Sequence, residues 1–216
     1  MNYEELKKQL AHVLWIGGGT DTGKSTIAQN LADRHGLCVY HYDKTDAEHH
    51  VKLAETLSEI REFNDASLDE RWIYPDPSIL LARCLFSFSH RFALVIKDLL
   101  ALPNDKPIIT EGFGLLPELV HPILCSRYQA VWLVPTEAFK WESMARRGKP
   151  SFAKLTSDPE KAKMNLFTRD MMLADYYRKQ VLSYGYTLHE IDGSHSAEEM
   201  TDLVDEHFAK YSESLQ

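Results

Sequence analysis

The chain reads Gly18-Gly19-Thr20-Asp21-Thr22-Gly23-Lys24-Ser25 where a short apolar run, residues 13–16, gives way to a helical segment, residues 25–35. That order fits the pattern G-x-x-x-x-G-K-[ST], a phosphate-binding loop, in the strand-to-helix setting the pattern requires. Glycines let the backbone curl so that successive N–H groups turn toward one point. The following helix adds partial positive charge at its N-terminus, so the loop is built for an anion. Lys24 is placed to reach the outer phosphates, and the Ser25 hydroxyl to ligate Mg²⁺. The expected nucleotide contacts are Gly18, Gly19, Thr20, Asp21, Thr22, Gly23, Lys24, Ser25 and Thr26, and the expected ligand is ATP with Mg²⁺.

Outward from the loop, apolar runs alternate with helical patterns. Residues 12–16, 38–42, 107–110, 130–134 and 187–191 are short, rich in Val, Ile and aromatics, and bounded by Gly, Pro or Asp. Buried parallel strands read this way, and strands separated by helices imply βαβ units in a doubly wound sheet. Two connections are too long for one crossover. The first, residues 43–106, holds a polar helical piece at 47–63, a loop with Pro75 and Pro77, and a helix over 78–102 with a broad apolar face. The second, between Val134 and Thr187, opens with a helix over 136–147 that Gly148 and Pro150 end. A polar stretch with Pro159 follows, then a helix near 164–184. The expectation is one domain, 1–216, whose two insertions wall a cleft.

Composition narrows the partners. With 24 basic and 32 acidic side chains the formal net charge is −8, which argues against non-specific binding to nucleic acid or an anionic membrane. Cys38, Cys84 and Cys125 form no CxxC pair and read as reduced thiols. No apolar stretch reads as long enough for a signal peptide or a membrane span. A cytoplasmic protein is expected.

Asp43 ends the second apolar run, and in parallel sheets ligands sit beyond the carboxyl ends of strands. A carboxylate there can hold Mg²⁺ or take the proton of an attacking hydroxyl; the alternative is a helix cap or turn residue. Asp46 reads as that cap. Arg71, Trp72, Tyr74, Arg83 and Arg91 lie in the first insertion, where arginines with aromatics suit an anionic or ring-bearing ligand, or a mixed core and surface. His49-His50 point apart on a helix and make a poor metal pair.

The phosphate-binding loop, the size and the order of elements resemble the P-loop small-molecule kinases: shikimate and gluconate kinases, chloramphenicol phosphotransferase and the nucleoside monophosphate kinases. The run Ile108-Ile109-Thr110-Glu111-Gly112 resembles 2-phosphoglycerate-kinase-like sequences, and the Asp192-Gly193-Ser194 turn resembles the adenine-side loop of such enzymes. The resemblance implies a five-stranded parallel sheet ordered 2-3-1-4-5, a mobile lid at 136–170, and a small-molecule phosphate acceptor seated beside the loop in 43–106. It implies a Walker-B-like role for Glu111, against the alternative of a solvated loop carboxylate; Gly112 and Gly114 close behind fit a backbone that approaches a ligand closely. Arg146, Arg147 and Arg169 are implied as lid cations on the transferring phosphoryl group, against the alternatives of helix-terminal charges for the first two and a surface ion pair with Asp170 or Asp175 for Arg169. The competing reading is a regulatory NTPase with no acceptor. A guanine-reading Asn-Lys-x-Asp, which a GTPase switch would need, is absent from the sequence.

Overall fold

The computed structural model describes residues 2–214. In chain order its elements are α1 (Tyr3–Gln9), β1 (Val13–Gly18), α2 (Lys24–His35), β2 (Cys38–His41), α3 (Asp46–Ala54), α4 (Ser58–Asp65), α5 (Leu68–Trp72), α6 (Pro77–Ala101), β3 (Ile108–Glu111), α7 (Pro117–Val120), β4 (Ala130–Pro135), α8 (Glu137–Arg146), α9 (Pro159–Ser183), β5 (Thr187–Ile191) and α10 (Ala197–Ser214). All strand pairs are parallel, and the sheet order is β2-β3-β1-β4-β5. This is the three-layer P-loop NTPase architecture that the resemblance implied.

The central strands are buried on both faces, which is why they read as continuous apolar runs rather than alternating ones. On one face Val13, Trp15, Ile108 and Trp132 pack with Val95 and Leu99 of α6 and Leu173 and Tyr177 of α9. On the other, Ile16, Ile109, Val131 and Leu133 pack with Ile27 and Leu31 of α2 and Val204 and Phe208 of α10. The sheet is thus rigid where its carboxyl edge must present the loop after β1.

Several boundaries differ from the sequence reading for local reasons. The helix expected over 47–63 is two helices, α3 and α4, because Leu57 is extended (φ −111, ψ 111) between them. α9 begins at Pro159 rather than near 164: Asp158 accepts from the Lys161 N–H, and a proline at the first helical position needs no N–H partner. Asp76 and Pro77 start α6 in the same manner.

Contrary to the expectation about apolar stretches, α6 is long and apolar enough, by length and composition alone, to cross a membrane, with a mean hydropathy of 1.6. Its Phe88, Val95, Ile96 and Leu99 are buried in the core cluster, and Arg91 in its middle is fully buried against Asp46. A central helix of an α/β protein passes the same test.

Candidate active site

β1 delivers the chain into the loop at the carboxyl edge of the sheet. The Gly19 N–H donates to Leu133 O at 2.9 Å, tying the start of the loop to β4. The Ile27 N–H donates to Gly23 O at 3.0 Å, the first bond of α2. Between these, no N–H from Thr20 to Thr26 bonds a carbonyl among the described residues. A run of unpaired donors at a helix start is an anion cradle. Gly23 closes it with φ of 83°, a left-handed turn that costs glycine nothing. Thr22 Oγ1 donates to Gly19 O at 3.0 Å and braces the curl.

A cleft of about 200 Å³ lies over this cradle, lined by Thr20 to Thr26, Asp43, Glu111, Phe113, Arg147 and Lys149. Lys24 is buried and its Nζ donates to Gly19 O and, at 3.4 Å, to Thr22 Oγ1. Burial lowers its pKa, opposed by the charges of Asp43, Glu111 and Asp21. Asp43 is open to the cleft, in the 3-10 turn after β2. Desolvation by the cleft walls raises its carboxyl pKa, Lys24 opposes, and Glu111 adds to the rise. A raised carboxyl is a better proton acceptor once ionised.

Glu111, at the end of β3, pairs in register with Ile16 of β1 and His41 of β2. Its Oε1 lies 2.7 Å from His41 Nδ1, while Oε2 is buried with no partner. Gly112 and Gly114 behind it were read as room for a ligand. That room is taken by Tyr42: a Cβ on Gly112 would lie 2.2 Å from Tyr42 Cβ, and one on Gly114 2.1 Å from the Tyr42 hydroxyl.

Asp21 has φ of 66°, in the left-handed region, and its carboxylate is a hub for three cations. Lys140 Nζ of α8 lies 2.7 Å away, Lys149 Nζ 3.0 Å and Arg147 Nη1 3.1 Å. Burial works against ionisation, but the Lys140 and Lys149 contacts outweigh it and hold the Asp21 carboxyl down at about 2. Lys140 is fully buried and also bonds Asp170 of α9 at 2.7 Å; Asp170 accepts from Thr20 Oγ1 at 2.7 Å. The loop is therefore bolted to α8 and α9 through two buried carboxylates. Burial opposes ionisation of Asp170, but Arg169 and Lys140 win and lower its pKa.

The structure brings Lys24, Ser25, Asp43, Glu111 and Arg147 to one cleft. Arg146 is exposed and makes no ion pair among the described residues. Arg169 is buried, pairs with Asp170 at 2.8 Å, donates to Cys84 Sγ, and lines a second cavity instead. That cavity, about 220 Å³, sits among α3, α4, α5, α6 and α9, and Phe113 walls both it and the phosphate cleft. The buried Arg91 pairs with the half-exposed Asp46 and also donates to Tyr42 O, so Asp46 is a structural partner rather than a simple cap. His49 bonds Asp98 at 2.9 Å and His50 bonds Ser87 at 2.8 Å, so the two histidines go separate ways. The cysteines are free.

Sequence reasoning missed Lys140, Lys149 and His41; it had Asp170 as a surface partner of Arg169, and the pair is there but buried. Lys149 was visible beside Arg147 in Arg146-Arg147-Gly148-Lys149-Pro150. Lys140, and the contact of Asp170 with Thr20, carry no local signal, because only tertiary packing brings α8 and α9 against the loop. The stretch after α8, expected to lack apolar anchors, has some: Phe152 stacks on Trp72 at 4.6 Å, and Ala153 and Ala162 are buried with Ile73.

No protein-family model matches the chain, and no curated protein matches it by sequence. Among solved structures, deoxyadenosine kinase from M. mycoides with bound dATP is similar over 91% of this chain and 99% of that one, at 12% identity and a TM-score of 0.48. YorR from Bacillus subtilis in complex with phosphorylated GDP is similar over 94% and 98%, at 13% identity and 0.45. A gluconokinase from Sinorhizobium meliloti 1021 is similar over 95% and 96%, at 14% identity and 0.44. At such identities none of these activities transfers to this chain.

Proposed function

We propose that the protein is an ATP-dependent phosphotransferase acting on a small-molecule acceptor in the cytoplasm. One observation carries this reading: a second cavity abuts the phosphate cleft and shares Phe113 with it. A regulatory NTPase needs a place for nucleotide and water; a place for a further organic molecule beside the phosphates is what a transferase needs.

The roles follow from position. The free N–H groups of residues 20–26 hold the phosphates, and Lys24 leaves Gly19 O to follow the outermost one. Asp43, facing the cleft beside Lys24, accepts the proton of the acceptor hydroxyl. Arg147 and Lys149 exchange Asp21 for phosphate oxygens as negative charge builds there. The oxygen donors Ser25, Asp43 and the unpartnered Glu111 Oε2 suit a hard cation such as Mg²⁺, which takes few protein ligands and completes its shell with phosphate and water. When bound, that ion would neutralise charge on the phosphates. His41 holds Glu111 in place. With α8 and α9 tied to the loop by Lys140 and Asp170, residues 147–158 between them, which carry Arg147 and Lys149, act as the lid that keeps water from the transfer.

Following the γ-phosphorus of ATP by ³¹P NMR with candidate acceptors tests the reading. A phosphate ester among the products is expected. Inorganic phosphate alone, at a rate indifferent to every acceptor, would leave the regulatory NTPase in its place.

A further inference from the structure

The cavity beside the phosphate cleft has a chemical character of its own. Its walls are mostly aromatic and aliphatic, with Ile60, Phe63, Trp72, Leu80, Phe88 and Phe113 prominent. The rings are fixed before any ligand arrives. Trp72 is stacked on Phe152 at 4.6 Å and meets Phe63 edge-on at 6.2 Å. Phe88 and Phe113 meet edge-on at 4.9 Å, and Tyr42 packs edge-on against both. Flat walls held this way lose little freedom on binding.

The polar groups of the cavity are already engaged. His50 Nε2 is 2.8 Å from Ser87 Oγ and its Nδ1 is 3.3 Å from Asp46. Asp46 is held by the buried Arg91. Arg169 is neutralised by Asp170 at 2.8 Å. Arg83 and Glu59 also line the cavity; Arg83 is exposed and reaches only Glu70 O, at 3.5 Å, and the lining as a whole carries two guanidinium groups and two carboxylates. An acid or a phosphate placed among the rings would lose its water and reach an unpaired cation only at the exposed Arg83, where solvent leaves an ion pair worth little. A polyol would face rings where it needs hydrogen-bond partners.

Resting on the phosphotransferase reading above, the geometry points to an uncharged alcohol with a flat ring as the acceptor, its ring among Trp72, Phe63 and Phe88 and its hydroxyl at the Phe113 end. The hydroxyl oxygen bonds to the γ-phosphorus of ATP while the bond from that phosphorus to the β–γ bridging oxygen breaks. The products are the phosphate ester and ADP, and the hydroxyl proton passes to Asp43 and then to solvent. Two sources supply such alcohols: nucleosides, and simple aryl alcohols.

The test uses the full chain with Mg²⁺ and [γ-³²P]ATP against three sets of acceptors. Thymidine, adenosine and 2-phenylethanol represent neutral ring alcohols. Gluconate and glycerol represent polyols, and AMP and thymidine monophosphate represent anionic ring compounds. At least one ring alcohol should be phosphorylated with kcat/KM about 100-fold above both other sets, the scale of leaving polar groups unpaired in an apolar site. Trp72→Ala should raise its KM about tenfold and leave the KM for ATP unchanged; Phe63→Leu, which keeps an apolar side chain, is the second variant should the first fail to fold. Melting shifts with each ring alcohol, without nucleotide, report occupancy of the cavity apart from transfer. Preference for gluconate, glycerol or a monophosphate overturns the assignment while the kinase reading stands. Absence of any melting shift or transfer with all three ring alcohols, when ATP still shifts the melt, also overturns it. A ring alcohol that binds in a Trp72-dependent way and is never phosphorylated supports the cavity's class and defeats the kinase reading.

Discussion

Replacing Asp21 by Asn removes one charge from the hub on which Lys140, Lys149 and Arg147 converge, and little else. Asn tolerates the left-handed backbone at least as well as Asp, so the substitution isolates electrostatics from strain. The Asp21 carboxyl is held at about 2 in the fold against an ordinary 3.8. At roughly 1.4 kcal/mol per pKa unit this corresponds to about 2 kcal/mol of stability at neutral pH. The folded pKa lies below the unfolded one, so the contribution is complete above about pH 5 and is lost as pH falls through about 2. By pH 3 about half of it should remain. Urea unfolding of wild type and Asp21→Asn at pH 7 and pH 3 reads this directly: a gap of about 2 kcal/mol that narrows to about 1. The same substitution frees two half-exposed cations at the rim of the cleft, so ATP should bind about two- to fivefold tighter, the worth of an exposed ion pair. A variant as stable as wild type at both pH values, with unchanged ATP affinity, would refute the hub.

Other substitutions separate the remaining roles. Asp43→Asn should leave ATP affinity within a few-fold and slow transfer by on the order of 10²–10⁴. In wild type the acid limb of the pH–rate profile should fall above the ordinary Asp value of 3.8, because the carboxyl must be ionised to accept a proton; in Asp43→Asn that limb should vanish. Arg147→Ala combined with Lys149→Ala should lower turnover more than ATP binding, whereas Arg146→Ala, at an exposed side chain without an ion pair, should change turnover little; steady-state rates beside titration calorimetry distinguish these. Gly112→Ala should destabilise by about 1–3 kcal/mol through overpacking against Tyr42, read as a lower melting temperature with ATP affinity retained in the folded fraction.

The sheet was legible because its strands are buried on both faces and so advertise themselves as apolar runs, and because residues 18–25 fix the first strand–loop–helix unit. Asp43 and Glu111 were legible as acidic residues at strand ends, a place that the topology alone brings to the loop. What stayed hidden was set by packing between distant elements. Nothing near Lys140 says that α8 turns it under Thr20 and Asp21, and nothing near Arg169 says that it turns away from the phosphates toward Cys84. The glycines after Glu111 were seen, but a close approach by Tyr42 and one by a ligand leave the same mark on a sequence. Short polar helices such as α3 and α4 carry too few buried residues for their boundary to show.

Lys24→Ala tests the central claim most directly. Among the described residues Lys24, buried in the cleft, bonds only the loop itself, at Gly19 and Thr22, so its loss should leave the fold intact by circular dichroism and melting. Titration calorimetry with ATP·Mg²⁺ and ³¹P NMR of turnover, run on the same preparation, should then show transfer reduced by at least about 100-fold, the scale for losing one preorganised charge on the transferring group. A folded Lys24→Ala protein that binds ATP·Mg²⁺ and turns it over as wild type does would contradict the reading of residues 18–25 on which the account rests.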